Sequence, residues 1–299
     1  MFLTTVLLLQ AASAGPAAEF ASPRVRESSG VAVSRAHPGV LWTHNDSGDR
    51  PYLHATDLTG RNLGWLRVPG ASALDWEDMA LGPCPPLPAD PPRRPPYCVY
   101  LADTGDNREG RPAVTVYAVP EPAPPPGGPG DTLRLTAAPA VLRLRYPDGA
   151  HDVEAIYVAP RDGALFLVSK GRGGSIRLYR IGRDQWPEQG TRQGAVATAT
   201  RVQTLDVRPN REAGRLVTGA AVRPDGRAVA LRTYTEIFLF RTGAGGTLVP
   251  VRERACDIAG LELGGGGEAI DFIDDSTLVL TSEATRRCPG TIHTVVCPS

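Results

Sequence analysis

The sequence predicts an all-β fold, a five-bladed β-propeller formed by a single domain. Three observations predict it. A short phrase recurs five times: an acidic residue and small side chains open a strand, a turn follows, and a second apolar strand ends in polar residues. The copies open at residues 27, 76, 153, 217 and 267, a spacing stretched by inserts from the period of roughly 40 to 50 residues that marks a propeller or solenoid. Gly (33) and Pro (29) are abundant, as many short strands joined by turns require.

The first copy reads Glu27-Ser-Ser-Gly-Val-Ala, then Val40-Leu-Trp-Thr-His-Asn-Asp46. The second is Trp76-Glu-Asp-Met-Ala, then Val99-Tyr-Leu-Ala-Asp103, and the third Val153-Glu-Ala-Ile, then Leu165-Phe-Leu-Val-Ser-Lys170. The fourth is Val217-Thr-Gly-Ala-Ala, then Ala228-Val-Ala-Leu-Arg-Thr-Tyr234. The fifth is Gly267-Glu-Ala-Ile, then Leu278-Val-Leu-Thr-Ser-Glu283. Alternating segments at 52–57, 115–119, 176–181 and 237–240 supply third strands, and 63–68, 141–146, 200–207 and 247–252 supply fourth strands. Two Pro-rich inserts, at 85–96 and 120–130, read as surface excursions because the repeat resumes in phase after each. The fifth copy lacks a fourth strand, so residues 20–26 are expected to provide its outer strand and close the ring, which removes a free sheet edge. A sixth blade would have to be hidden within 120–146 or 182–207.

Formal net charge is zero, which gives no electrostatic case for nucleic acid or an anionic membrane as partner. Residues 1–14 read as a signal peptide: a short apolar run followed by Ala12-Ser-Ala14, a small-x-small cleavage pattern. The run is too short to span a bilayer, so the mature chain, with its domain at 20–299, is expected to be secreted or extracytoplasmic without an integral membrane segment. Export permits disulfides. Cys84 and Cys98 flank the first insert and are expected to pair; Cys288 with Cys297 is the second expected pair, with Cys256 competing for either of these last two. No cysteine pair has zinc-site spacing.

The first two strands of a blade run antiparallel, so the start of one and the end of the next share a face. This reasoning places Glu27, Glu77, Glu154 and Glu268 on the rim of one mouth, together with Asp46, Asp103, Lys170, Arg232, Thr233 and Glu283. His44 and His151 fall near the same rim as candidate acids or bases. Converging carboxylates repel one another unless a cation, a basic side chain or a proton intervenes. Calcium suits several oxygen ligands in flexible geometry, so the four glutamates are candidate metal ligands and calcium is the one cofactor expected. Asn45-Asp-Ser-Gly-Asp49 and Asp103-Thr-Gly-Asp-Asn107 add oxygen-rich turns, which also bond their own backbone. Lys170, the single lysine of the chain, and Arg232 make one side of the mouth basic. Trp42 and Trp76 read as packed residues rather than sugar platforms. There is no nucleophile elbow, zinc-protease motif or P-loop, and no residue is assigned a catalytic role.

Glu27-Ser-Ser-Gly-Val-Ala, Leu41-Trp-Thr-His-Asn-Asp-Ser-Gly-Asp49, Asp75-Trp-Glu-Asp-Met-Ala80, Asp103-Thr-Gly-Asp-Asn107 and Val116-Tyr-Ala-Val-Pro-Glu-Pro122 resemble a group of secreted bacterial β-propeller proteins. The resemblance covers nearly the whole mature chain and implies a propeller and export, with no established activity. The five-blade plan and acidic mouth are more distantly similar to calcium-dependent nucleotidases, the apyrases, from which no residue role is carried over. The function expected is binding of a small polar or anionic ligand, with calcium, at the mouth. The alternatives are a hydrolase of phosphoesters or glycosides using the same carboxylates, and a module that binds an extracellular protein partner.

Overall fold

Burial along the strands follows their place in the stack. Ala140–Arg145 alternates buried and exposed residues, as a strand covered on one face does. Val153–Val158 and Leu165–Ser169 are buried throughout, as strands covered on both faces are. The computed structural model describes residues 12–87, 97–125, 134–187, 195–251, 255–261 and 266–297.

Among the described residues the strands form five sheets, each one blade. Blade one is Ser28–Val33, Leu41–Asn45, Tyr52–Thr56 and Gly64–Arg67. Blade two is Trp76–Pro83, Tyr97–Asp103, Val114–Pro120 and Ala140–Arg145. Blade three is Val153–Val158, Leu165–Ser169, Ile176–Ile181 and Thr200–Leu205. Blade four is Val217–Val222, Ala228–Thr233, Glu236–Thr242 and Leu248–Pro250. Blade five is Gly267–Phe272, Thr277–Ser282 and Thr291–Val296. The described residues of 120–146 and 182–207, the two places for a sixth blade, hold outer strands of blades two and three, plus Val196–Thr198, which joins blade two in parallel.

An N-terminal outer strand closes the ring, as expected, but it lies upstream of 20–26. Ser13–Ala14 and Ala18–Glu19 both pair antiparallel with Thr291–Val296. Residues 20 and 21 instead cross toward blade one: the Phe20 N–H donates to Gly290 and the Ala21 N–H to Gly60. Cys84–Cys98 forms as expected, whereas Cys297 pairs with Cys256 and Cys288 is free and exposed. The sequence spacing favoured the short Cys288–Cys297 turn. Cys256 sits in Cys256–Asp257, which pairs with the third strand of blade four and lies beside the end of blade five.

Each of the five apolar clusters fills one gap between neighbouring blades. Trp42 and Trp76 are fully buried together between blades one and two. Complete burial of a large apolar side chain contributes about 1.5–3 kcal/mol, so each gap is held mainly by such contacts. Near the axis the blades crowd. A Cβ on Gly30 would lie 2.5 Å from His44 Nε2, and one on Gly219 would lie 2.6 Å from the Glu268 carbonyl oxygen.

Candidate functional site

Every inner strand carries a register break at its mouth end. A β-bulge of this kind leaves a residue unpaired and re-aims its side chain. The residues displaced are Ser29, Glu77, Glu154, Thr218 and, with Ala269, Glu268. They form an inner ring of three carboxylates and two hydroxyls. The hydroxyls join blades: Ser29 donates to the Glu77 carbonyl and Thr218 to the Gly267 carbonyl.

The pairings correct the alignment read from sequence. Glu27 lies two residues ahead of the bulge, exposed, where blades two and three place Asp75 and Asp152. The residues that follow the second strands are Asp46, Thr104, Lys170, Tyr234 and Glu283. Asp103 and Thr233 are thus one position inside the fold, and Arg232 two. Buried Asp103 accepts from Arg111 Nη2 at 2.9 Å and from the Leu74 and Asp75 amides, so it shapes the Asp75 loop from behind. Arg232 is fully buried and donates to the carbonyls of Ala269 and Thr281, tying blade four to blade five. Thr233 organises the turn before Glu236.

His44 packs edge-on against Trp76, its ring centroid 5.3 Å away, and burial holds it below the usual imidazole pKa. His151 is away from the opening, between Asp148 and Glu109 and stacked on Tyr179. The two oxygen-rich turns are tied to neighbouring backbone: Asn45 Oδ1 accepts from the Arg26 and Glu27 amides and Asp106 from the Arg111 amide, while Asn45 Nδ2 donates to Asp49 within the first turn.

The mouth itself divides into two halves. Asp46, Asp75 and Glu77 each present an oxygen within 4.8 Å of the others, and so do Glu77, Asp152 and Glu154. The second trio is already neutralised. Lys170 Nζ lies 2.6 Å from Glu154, and Arg172 Nε lies 2.8 Å from Asp152. The first trio has no such partner, and Glu77 is 5 % exposed with no hydrogen-bond donor among the described residues.

Electrostatics follow this division. Burial, reinforced by Glu154, Asp46 and Asp75, pushes Glu77 up to about 12. Burial, with Asp46 and Asp152, raises Asp75 to about 6. Burial raises Glu154 to about 8 against the pull of Lys170. Burial works to lower Lys170, but Glu154 outweighs it and the ammonium stays charged. Glu283 rises to about 7 through burial and the charges of Glu268 and Asp46. Burial also raises Glu268, opposed by Lys170, Arg232 and a hydrogen bond with Tyr234. Glu27 is raised by burial and by Asp46 and Asp49.

Asp78, next to the bulged Glu77, closes the floor. It is fully buried, and its Oδ2 accepts from the Ile156 amide of blade three at 2.8 Å and the Ala220 amide of blade four at 3.4 Å. Sequence reasoning missed Asp75, Asp152, Tyr234 and Asp78. A signal for the first two was present: Asp75-x-Glu77 and Asp152-x-Glu154 repeat one spacing in adjacent blades.

Fold and site together define a β-propeller whose inner-strand bulges gather carboxylates at one mouth. No family model and no curated protein sequence matches the chain. Among solved structures, it is similar to the PQQ-bound aldose sugar dehydrogenase of Streptomyces coelicolor. The TM-score is 0.50, with 14% identity over 96% of this chain and 100% of that one. A gluconolactonase of Xanthomonas campestris aligns at TM-score 0.45 and 16% identity, over 96% and 98% of the two chains. The likeness to the dehydrogenase is one of fold. It supports the propeller and not the narrower similarity to nucleotidases.

Proposed function

We propose that this propeller binds a divalent cation, calcium, at Asp46, Asp75 and Glu77, and through it a small polar or anionic ligand. The observation that carries the reading is Glu77: a buried carboxyl without a donor, sharing a 4.8 Å cluster with two further carboxylates that lack basic partners. Burial keeps the Glu77 carboxyl protonated because a buried bare carboxylate is costly, and a divalent cation would take the place of that proton. Hard oxygen ligands in a flexible set favour calcium. Lys170 and Arg172 act as resident cations for the second trio, so one metal position is expected. An anionic group of the ligand would bridge from the metal toward Lys170 and Tyr234. Two disulfides and the absence, among the described residues, of a helix long and apolar enough to span a membrane accord with an extracytoplasmic protein.

Calcium titration by calorimetry tests this. Wild type is expected to bind one calcium per chain, and Glu77→Gln to lose most of the affinity. No heat in wild type, or an unchanged isotherm in Glu77→Gln, removes the metal site. A second reading, hydrolysis of phosphoesters or glycosides, is favoured by carboxyls that ionise apart: Asp75 at about 6 and Glu154 at about 8. Turnover of chromogenic phosphoesters or glycosides that disappears in Glu77→Gln and Glu154→Gln supports it. Turnover that survives both substitutions assigns the chemistry elsewhere.

A further inference from the structure

One cleft of the described residues lies away from the acidic mouth. It lies on the opposite face, between blades three and four, with a volume of about 890 Å³. Strand direction fixes the face: the loop after Val153–Val158, the turn at 226–227 and the loop after Glu236–Thr242 all leave the end opposite the bulges. We infer that this cleft is a second ligand site, built for an organic anion with an apolar body.

The volume is in the range of small-molecule sites. Its rim carries Arg161, Arg180 and Arg227 against one acid, Asp162. Arg180 is paired with Asp162 at 3.3 Å. Asp225, the acid next to Arg227, is taken by Arg223 at 2.7 Å. Arg161 and Arg227 are therefore left without ion pairs among the described residues, on a chain of zero net charge. The floor is apolar: Tyr157 and Phe166 stack with centroids 4.8 Å apart and planes 6° from parallel. Gly246 lies against the Phe166 ring so closely that a Cβ would fall 2.3 Å from it, which fixes the 243–247 loop over the ring.

An independent observation points to a ligand. Tyr157 borders both this cleft and a small interior cavity beside Ala220 and Asp271, is 2 % exposed, and its hydroxyl has no hydrogen-bond partner among the described residues. Buried hydroxyls are normally satisfied. An acceptor oxygen of a bound anion would satisfy it, while Arg161 and Arg227 supply charge-assisted bonds at the rim. This site has no residue in common with the mouth, so it stands or falls separately from the calcium reading.

The probe is 8-anilinonaphthalene-1-sulfonate, followed by fluorescence in the folded protein. Saturable binding at one site is expected, weakened roughly tenfold or more in Arg161→Glu/Arg227→Glu and several-fold in Tyr157→Phe. EDTA and Glu77→Gln should leave the affinity unchanged. Hydrogen exchange on the unsubstituted protein gives a second readout: the probe should protect 159–162, 226–227 and 243–247. Non-saturable binding, an affinity unmoved by the double substitution, or protection confined to other segments overturns the site.

Discussion

Asp78→Ala removes a carboxyl shared by the inner strands of three blades. The carboxyl accepts from the Met79 and Ile156 amides at 2.8 Å each and, weakly, from the Ala220 amide at 3.4 Å. All of these groups are shut away from water, so truncation leaves donors without acceptors. An orphaned buried donor costs about 1–3 kcal/mol, and two short bonds give a loss of about 2–6 kcal/mol. A domain of this size loses roughly 2 °C of melting temperature per kcal/mol, so a fall of about 4–12 °C is expected. Burial pushes the Asp78 carboxyl up, while the amides of Ile156, Met79 and Ala220 that donate to it pull the other way. Asp78→Asn keeps one acceptor oxygen but turns an NH2 toward the other amides, so it should retain one of the two short bonds and cost less than Asp78→Ala. Urea denaturation at pH 7, with calorimetric melting as a check, measures both variants. A loss under 1 kcal/mol for Asp78→Ala, or equal losses for Ala and Asn, would refute the account of Asp78 as a shared acceptor.

Three further outcomes are expected. Calcium binding should release protons near pH 7, since Glu77 is protonated in the metal-free protein, and affinity should rise with pH through the titration of Asp75 at about 6; binding heats that do not vary with the ionisation enthalpy of the buffer would contradict this. Asp271, buried and raised to about 6, holds its proton more tightly in the folded state. Its contribution is complete below the unfolded value near 3.9 and is lost as pH rises through 6, a change of roughly 3 kcal/mol, and a pH series of urea midpoints should flatten in Asp271→Asn. Replacing Cys256 and Cys297 by Ser opens a bridge with a sequence separation of 41, at a cost of about 4 kcal/mol on chain-entropy grounds; Cys288→Ser should cost nothing measurable, and alkylation of the native protein should add one label.

The blade count and the identity of most strands were legible because period-2 patterning and turn residues are local signals. All four expected outer strands, at 63–68, 141–146, 200–207 and 247–252, have counterparts within a few residues. The common face of Glu77, Glu154, Glu268, Asp46, Lys170 and Glu283 was legible for the same reason. What was not legible was the bulge. An inserted residue shifts register without changing composition, so Glu27 looked equivalent to Glu77 when Ser29 is. The same slip promoted Asp103 and Arg232 over Thr104 and Tyr234. The partner of Cys297 was hidden because it depends on which blade edges meet, a long-range fact.

The closing strand sets an order of events. Ala18 pairs with Ile292, downstream of the stretch read as a signal peptide, so residues far apart in sequence form one sheet edge. During synthesis the first of them waits until nearly the whole chain has emerged. Blades one, three and four can each form from contiguous sequence, and blade two borrows only Val196–Thr198 from the segment of blade three, whereas blade five draws its outer strand from the far side of the sequence. Pairings so distant in sequence are slow to form, and until they do the last blade presents an open edge to other nascent chains. Folding of this ring is therefore expected to finish as a distinct late step, at the seam that Cys256–Cys297 bridges.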